Sequence, residues 1–304
     1  MAFAFTACSN SNEEEIAKRD EGIAFMDEGD YESAIASFDE ALSMSIGKVT
    51  ELEIDIDYYK AAAEYNSNQF DEAIYTYTAL IKYDSKNYKP YFLRGSIYAN
   101  SGEINKATSD YDSAVSIDEK NYLLYIEIYE NLNALGYTNE GLSYLTKALE
   151  VSDKSADSYY YKGRIYYMLG DTENAVSLLE TAIDKDVTEA KLYLAKLYQD
   201  QGDSAMAQSL LSDYATSDEV TSTALGTLGD IEMSNGDYAS ALSYYNAGLN
   251  LEEIDNYSQL YKGATAALEY LGEFDEAEVF LTQYLELYPT DEQAQNELIF
   301  LKTR

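Results

Sequence analysis

Residues 91–114 read YFLRGSIYANSGEINKATSDYDSA. Tyr91, Gly95, Tyr98 and Gly102 lie 4, 3 and 4 apart, and Ala107, Tyr111 and Ala114 lie 4 and 3 apart. That spacing predicts two amphipathic helices joined by a tight turn. Gly102 suits the left-handed residue just past a helix end. The acid after it, Glu103, can help cap the next helix start and favours the positive end of its dipole. The small Ala107 lets the two helices approach closely.

The unit recurs. GDYESA (29–34), NQFDEA (68–73), GEINKA (102–107), GYTNEG (136–141), GDTENA (170–175), GDSAMA (202–207), GDYASA (236–241) and GEFDEA (272–277) end at intervals of 39, 34, 34, 34, 32, 34 and 36 residues. A fixed period of this size is the mark of stacked repeats.

Composition narrows the chemistry. The 304 residues carry 56 acids against 20 bases, a net charge of −36. Such a surface repels phosphate backbones, so no nucleic-acid partner is expected. It also disfavours adsorption to anionic lipid. Histidine is absent and Cys8 is the sole cysteine. The usual catalytic triads and zinc sites, and any internal disulfide, are therefore not expected. Carboxylate pairs such as Asp55 with Asp57 and Asp110 with Asp112 are two apart and do not face each other on a helix. They read as solvated charge. Asp110-x-Asp112 lacks the glycine of a calcium loop, and no glycine run suits a phosphate. No catalytic residue, metal ligand or cofactor is expected, and the chain reads as non-enzymatic. Only Pro90 and Pro289 interrupt it, which favours helix. No segment approaches the ~20 apolar residues needed to span a membrane.

The pattern resembles the tetratricopeptide repeat (TPR) family, whose period is 34 residues. Tyr91, Gly95, Tyr98, Gly102, Ala107, Tyr111 and Ala114 fall on its signature positions. Pro289 falls on its closing proline. Ile104, Asn68 in place of the turn glycine, and Glu232 depart from the pattern. The resemblance implies an all-α, right-handed superhelical solenoid of about eight helix-turn-helix units, at 15–48, 54–87, 88–121, 122–155, 156–189, 188–221, 222–255 and 258–291. Residues 292–304, with Ala294, Leu298 and Leu301 on one face, read as a C-terminal capping helix that is polar outside. Residues 1–14 read as a flexible tether. The family implies that the first helix of each unit lines an inner groove.

Residues 159–175, YYYKGRIYYMLGDTENA, show what that groove would present. Tyr159, Gly163, Tyr166 and Gly170 are signature packing positions. Tyr160, Arg164 and Tyr167, spaced 4 and 3, share a face turned about 100° from the packing face, and Tyr161 lies close by. Corresponding positions are Tyr58, Tyr59 and Tyr65, then Phe92, then Ile126, then Leu192, Tyr193 and Lys196. Tyr58, Tyr59, Tyr65, Phe92, Tyr160, Tyr161, Arg164, Tyr167, Tyr193 and Lys196 are the expected partner-binding residues. Tyrosine and arginine are typical interface anchors, and an aromatic stripe along a groove suits a peptide or an amphipathic helix. Residues 156–196 hold five bases (Lys162, Arg164, Lys185, Lys191, Lys196) and seven acids, whereas residues 197–304 hold three bases and twenty acids. Arg164 and Lys196 could thus meet a partner's carboxylate. Plain composition remains an alternative source of the stripe, because 32 residues of the chain are tyrosine. The family's chaperone-tail clamp is not expected: its positions match Arg19, Ile23, Tyr59, Lys89 and Leu93, only two of them basic.

The N-terminus carries a second resemblance. In MAFAFTACSNSNEEE, Thr6, Ala7 and Cys8 fit the lipobox of bacterial lipoproteins, with Phe5 where leucine is usual. A signal peptide needs a basic start and a longer apolar run, so residues 1–14 read as a truncated signal with Cys8 as the lipidation site. The resulting expectation is a TPR scaffold for a protein or peptide partner, anchored by lipid outside a bacterial membrane. A glycan- or small-molecule-binding protein with an aromatic groove, and a cytoplasmic TPR adaptor, are the alternatives.

Overall fold

A computed structural model describes residues 3–45, 49–215 and 220–303; the side chains of residues 3–11 and 204 lie outside what is described. Among the described residues there are seventeen α-helices and no strand. They divide between two compact units, Met1–Ser152 and Asp153–Arg304. The first holds α1 (Phe3–Asp27), α2 (Tyr31–Met44), α3 (Glu51–Asn66), α4 (Phe70–Tyr83), α5 (Lys89–Asn100), α6 (Ile104–Ile117), α7 (Tyr122–Ala134) and α8 (Thr138–Glu150). The second holds α9 (Ala156–Met168), α10 (Thr172–Ile183), α11 (Ala190–Asp200), α12 (Ser204–Ala215), α13 (Ser222–Asn235), α14 (Tyr238–Leu249), α15 (Tyr257–Leu271), α16 (Phe274–Leu287) and α17 (Glu292–Leu301).

Each odd-numbered helix from α1 to α15 pairs with the helix after it. The pairs then stack: α2 on α3 and α4 on α5 in the first unit, α10 on α11 and α14 on α15 in the second. First helices also meet first helices, as α5 with α7 and α9 with α11. Each unit is a run of helical hairpins in which a repeat touches mainly its neighbours, the solenoid architecture expected from the sequence.

The turns follow from single residues. Gly29, Gly102, Gly136, Gly170, Gly202, Gly236 and Gly272 all take positive φ, between 75° and 86°. In the hairpin without glycine, Asn68 takes φ 63°, a region asparagine tolerates better than other side chains. The departure at that turn is therefore conservative in backbone terms. The acid after the glycine behaves less uniformly. Asp30, Asp171 and Asp237 each accept the N–H three residues on, as N-caps do. Glu103 and Glu273 make no such bond. The extra methylene of glutamate carries its carboxylate past the N–H groups it would cap.

Close helix contact rests on small residues. Ala34, Ala73, Ala107, Ala175, Ala241 and Ala277 are fully buried. A second contact pairs a glycine of the first helix with a bulky residue sixteen positions later. A methyl on Gly95 would lie 2.9 Å from the Tyr111 ring, and one on Gly163 2.8 Å from Leu179. Only a bare Cα lets that side chain in.

At the C-terminal end Ala294 and Leu301 of α17 are buried and Leu298 packs beside them, against Leu281 and Tyr284 of α16. The opposite side is not polar throughout, since Ile299 and Phe300 are exposed. At the other end α1 takes in residues 3–14, the segment read from the sequence as a tether. The Cys8 side chain lies outside the described residues, as does the residue 1–2 backbone.

Candidate functional site

The ten residues expected along the first helices fall into two groups, one per unit. In the first unit Tyr58 and Tyr59 of α3 and Phe92 of α5 line a cavity of about 590 Å³, together with Asp55, Ala62, Lys89, Leu93 and Glu127. Three successive first helices, α3, α5 and α7, contribute to it. Each wall ring is backed by another ring: Tyr58 by Tyr77 at 6.4 Å between centroids, Tyr59 by Phe38 at 6.1 Å, and Phe92 by Tyr111 at 5.9 Å. Tyr58 also accepts a hydrogen bond from Asn87 Nδ2 at 3.1 Å. Burial pushes its hydroxyl pKa up against that bond. Tyr65 stands apart from the cavity, with its ring against Phe70 and its hydroxyl accepting from Asn100.

Two lining residues escaped the sequence. Tyr77 occupies a packing position on α4 and Tyr88 precedes α5, yet both reach the cavity. Pro90 at the start of α5 is the one signal near Tyr88, because it fixes where that helix begins. The charges are mixed. Asp55 is paired with Arg19 at 3.3 Å, and burial, with Glu130 adding, raises the Glu127 carboxyl pKa. Tyr59, Lys89 and Leu93, three of the positions matching the family's clamp, all line this cavity, where a single base stands among aromatic and aliphatic side chains and two acids.

In the second unit the other six residues come together on α9 and α11. The Arg164 guanidinium lies 4.7 Å from the Tyr193 ring centroid and 5.5 Å from each of Tyr160 and Tyr161. Tyr160 meets Tyr161 at 5.0 Å and Tyr193 at 5.8 Å, and Tyr167 meets Tyr193 at 6.4 Å. Lys196 Nζ sits 5.9 Å from the same Tyr193 ring. The Tyr167 hydroxyl donates to Asp200 at 3.0 Å. Its pKa is pushed up to about 12, first by burial and then by that carboxylate. Tyr160 and Tyr193 also pack against the core of Leu179, Ala182, Ala190 and Leu194, so their rings serve the seam between hairpins as well as the wall. Tyr159, expected as packing, rests on the same core.

Arg164 is the unusual group. Its Nε is buried and has no hydrogen-bond acceptor. A buried donor left unpaired costs about 1–3 kcal/mol. The three cation–π contacts, worth about 0.5–2 kcal/mol each, offset a cost of that size. Beside the cluster lies a cavity of about 480 Å³, lined by Tyr167, Lys196 and Gln199 and, across α13, by Thr227, Asp230 and Ser234. Among the described residues no cluster of acids, cysteine or histidine could hold a metal ion, and no helix is long and apolar enough to cross a membrane.

Tetratricopeptide repeat models match residues 192–259, residues 21–45 and 88–121, and residues 157–186 and 260–291. The chain carries tetratricopeptide repeats. No curated protein matches it. A tetratricopeptide repeat protein from Parabacteroides merdae is similar in fold, with a TM-score of 0.50 and 18% identity over 84% of this chain and 99% of that one. The APC/C hetero-tetramer Cut9–Hcn1 aligns at a TM-score of 0.47 and 18% identity, over 89% of this chain and 53% of that one. Naa15/Naa10 bound to HypK-THB aligns at 0.39 and 17%, over 81% and 38%. The TPR stretches without a matching model, such as residues 122–155, form hairpins of the same kind.

Proposed function

We propose that this TPR chain is a non-enzymatic scaffold that holds a protein or peptide partner against its first-helix walls. The carrying observation is the aromatic cavity to which α3, α5 and α7 all contribute. No single repeat could build it, and it remains open after each ring has been backed by the core. Extended aromatic hollows of this kind suit apolar side chains of a peptide or helix. Cys8 is the proposed lipid-anchor site, on the strength of Thr6-Ala7-Cys8 and the polar stretch that follows, which would put the scaffold outside a bacterial membrane.

Affinity capture from the native host tests both parts. Wild type is expected to retain a protein partner that Tyr58→Ala/Phe92→Ala loses, with helical content unchanged by circular dichroism. A partner held equally by both overturns the wall. Glycan-array binding without a protein partner favours a carbohydrate ligand instead. Mass spectrometry of the same purified chain is expected to find a diacylglyceryl thioether on Cys8. An unmodified Cys8 favours the cytoplasmic adaptor.

A further inference from the structure

We propose that Arg164, with Lys196 beside it, receives a single carboxylate, flanked by apolar side chains, from a segment of the partner laid across α9 and α11. The proposal rests on the scaffold reading and names the chemistry of the occupant.

Arg164 departs from the other described arginines. Arg94 forks onto Asp110, with Nε and an Nη each at 2.7 Å from a carboxylate oxygen, and donates to Thr78 at 2.8 Å. Arg19 pairs with Asp20 and Asp55. Arg164 forms no hydrogen bond or ion pair with a described residue, although the chain has 56 acids to offer. Lys196 likewise forms no ion pair with a described residue. Two cations therefore share the Tyr193 ring, neither of them in an ion pair with a described residue.

Glu189 and Asp157 lie near enough to act on the Tyr160 and Tyr161 phenols, yet neither pairs with Arg164, and the two acids that line the neighbouring cavity with Lys196 are already committed. Asp200 accepts from Tyr167. Asp230 accepts from Tyr245 and Gln259, both at 2.7 Å. The tyrosine rings seal Nε, but Arg164 as a whole is half-buried, so the tip of the guanidinium meets solvent. A planar fork held by rings loses little side-chain freedom when a carboxylate pairs with it. The apolar ring surface around it suits an aliphatic or aromatic neighbour of that carboxylate. A multiply charged anion such as phosphate fits less well, because repulsion from a chain of net charge −36 grows with the charge of the ligand.

Arginine side-chain NMR gives a direct reading. The chain has four arginines, at 19, 94, 164 and 304, and the Arg164 Nε–H peak is assigned by its loss in Arg164→Gln. Three probes are titrated into the full chain: acetyl-Leu-Glu-Phe-amide, acetyl-Leu-Phe with a free C-terminal carboxylate, and acetyl-Leu-Gln-Phe-amide. The Arg164 peak is expected to move with a carboxylate probe and not with the glutamine probe. Which carboxylate moves it distinguishes a side chain from a chain terminus. Arg164→Gln is expected to weaken binding of that probe at least about tenfold, while Arg164→Lys retains part of it. A peak that stays put with every probe, or moves equally with all three, overturns the proposal and leaves the cage closed on itself. Loss of the captured partner in Tyr58→Ala/Phe92→Ala would still stand in that case, so the scaffold reading survives or fails separately.

Discussion

On α3 and α5 the wall rings lean on rings behind them, Tyr58 on Tyr77, Tyr59 on Phe38 and Phe92 on Tyr111. On α9 and α11 they lean on one another and on Arg164. The cause sits on the second helix of each hairpin. Four residues after the closing alanine the α1–α2, α3–α4 and α5–α6 hairpins have Phe38, Tyr77 and Tyr111, whereas the α9–α10 hairpin has Leu179. An aromatic backing holds a wall ring upright, which leaves an open hollow. An aliphatic one lets the rings turn together, and a cation fills the space between them. The same tyrosine alphabet thus yields an open aromatic cavity in one unit and a cationic aromatic cluster in the other.

The sharpest break of this comparison exchanges the two arginines' roles. Arg94 and Asp110 are buried together, with side chains 16% and 8% exposed. Arg94→Gln strands the Asp110 carboxylate, and removing one partner of a buried pair costs about 3–5 kcal/mol. Arg164→Gln strands no acid. It loses only its ring contacts, about 0.5–2 kcal/mol each, and relieves an unpaired Nε. Urea unfolding followed by circular dichroism is expected to rank Arg94→Gln well below Arg164→Gln in stability. Equal losses would mean that Arg164 is as structural as Arg94, and the cationic cluster would lose its claim to a partner.

The sequence carried the repeat, the turn positions and the helix pairing because each depends on one residue type at fixed spacing. Asn68 marks how far that goes: its side chain differs from glycine, but its tolerance of positive φ keeps the turn. The glutamate caps failed at the level of one methylene, which spacing does not register. The site was half legible. Helical phase put Tyr160, Arg164 and Tyr167 on one face, and they do lie together. Phase does not say what stands behind a ring, so neither the backing of Tyr58 by Tyr77 nor the turning of Tyr65 toward Phe70 could be read from it. The sealing of Arg164 by three rings likewise depends on rotamers chosen by packing across two hairpins.

A smaller effect probes the backing residue itself. In Gly163→Ala the new methyl would sit 2.8 Å from Leu179 Cγ and 3.3 Å from the Leu179 backbone nitrogen. Side-chain adjustment cannot relieve the second contact, so α10 must move away from α9. Overpacking of this kind costs about 1–3 kcal/mol. Because Tyr160 rests on the Leu179 cluster, the shift is expected to loosen the cage as well. The midpoint of urea unfolding should fall and the Arg164 Nε–H peak should move without any ligand. A fall in stability with an unmoved peak would show that Leu179 does not set the ring arrangement.

The smallest effect concerns protons. Tyr167 is held at about 12, above the ordinary tyrosine range, by burial first and by its bond to Asp200 second. Tyr111 in the first unit is also held at about 12, but by burial, with its contact to Ser96 opposing the shift. In both, the folded chain keeps the phenol proton more tightly than the unfolded chain, whose value is near 10. Their contribution to stability is therefore complete below about pH 10 and lost as pH rises toward 12. Asp200→Asn removes the negative charge beside Tyr167 and touches nothing at Tyr111. Carbon-13 NMR of the tyrosine ring carbons is expected to show Tyr167 titrating earlier in Asp200→Asn, with Tyr111 unchanged. If Tyr167 stays where it was, burial alone governs both walls, and the acid on α11 is a spectator that a partner's own groups could displace without cost.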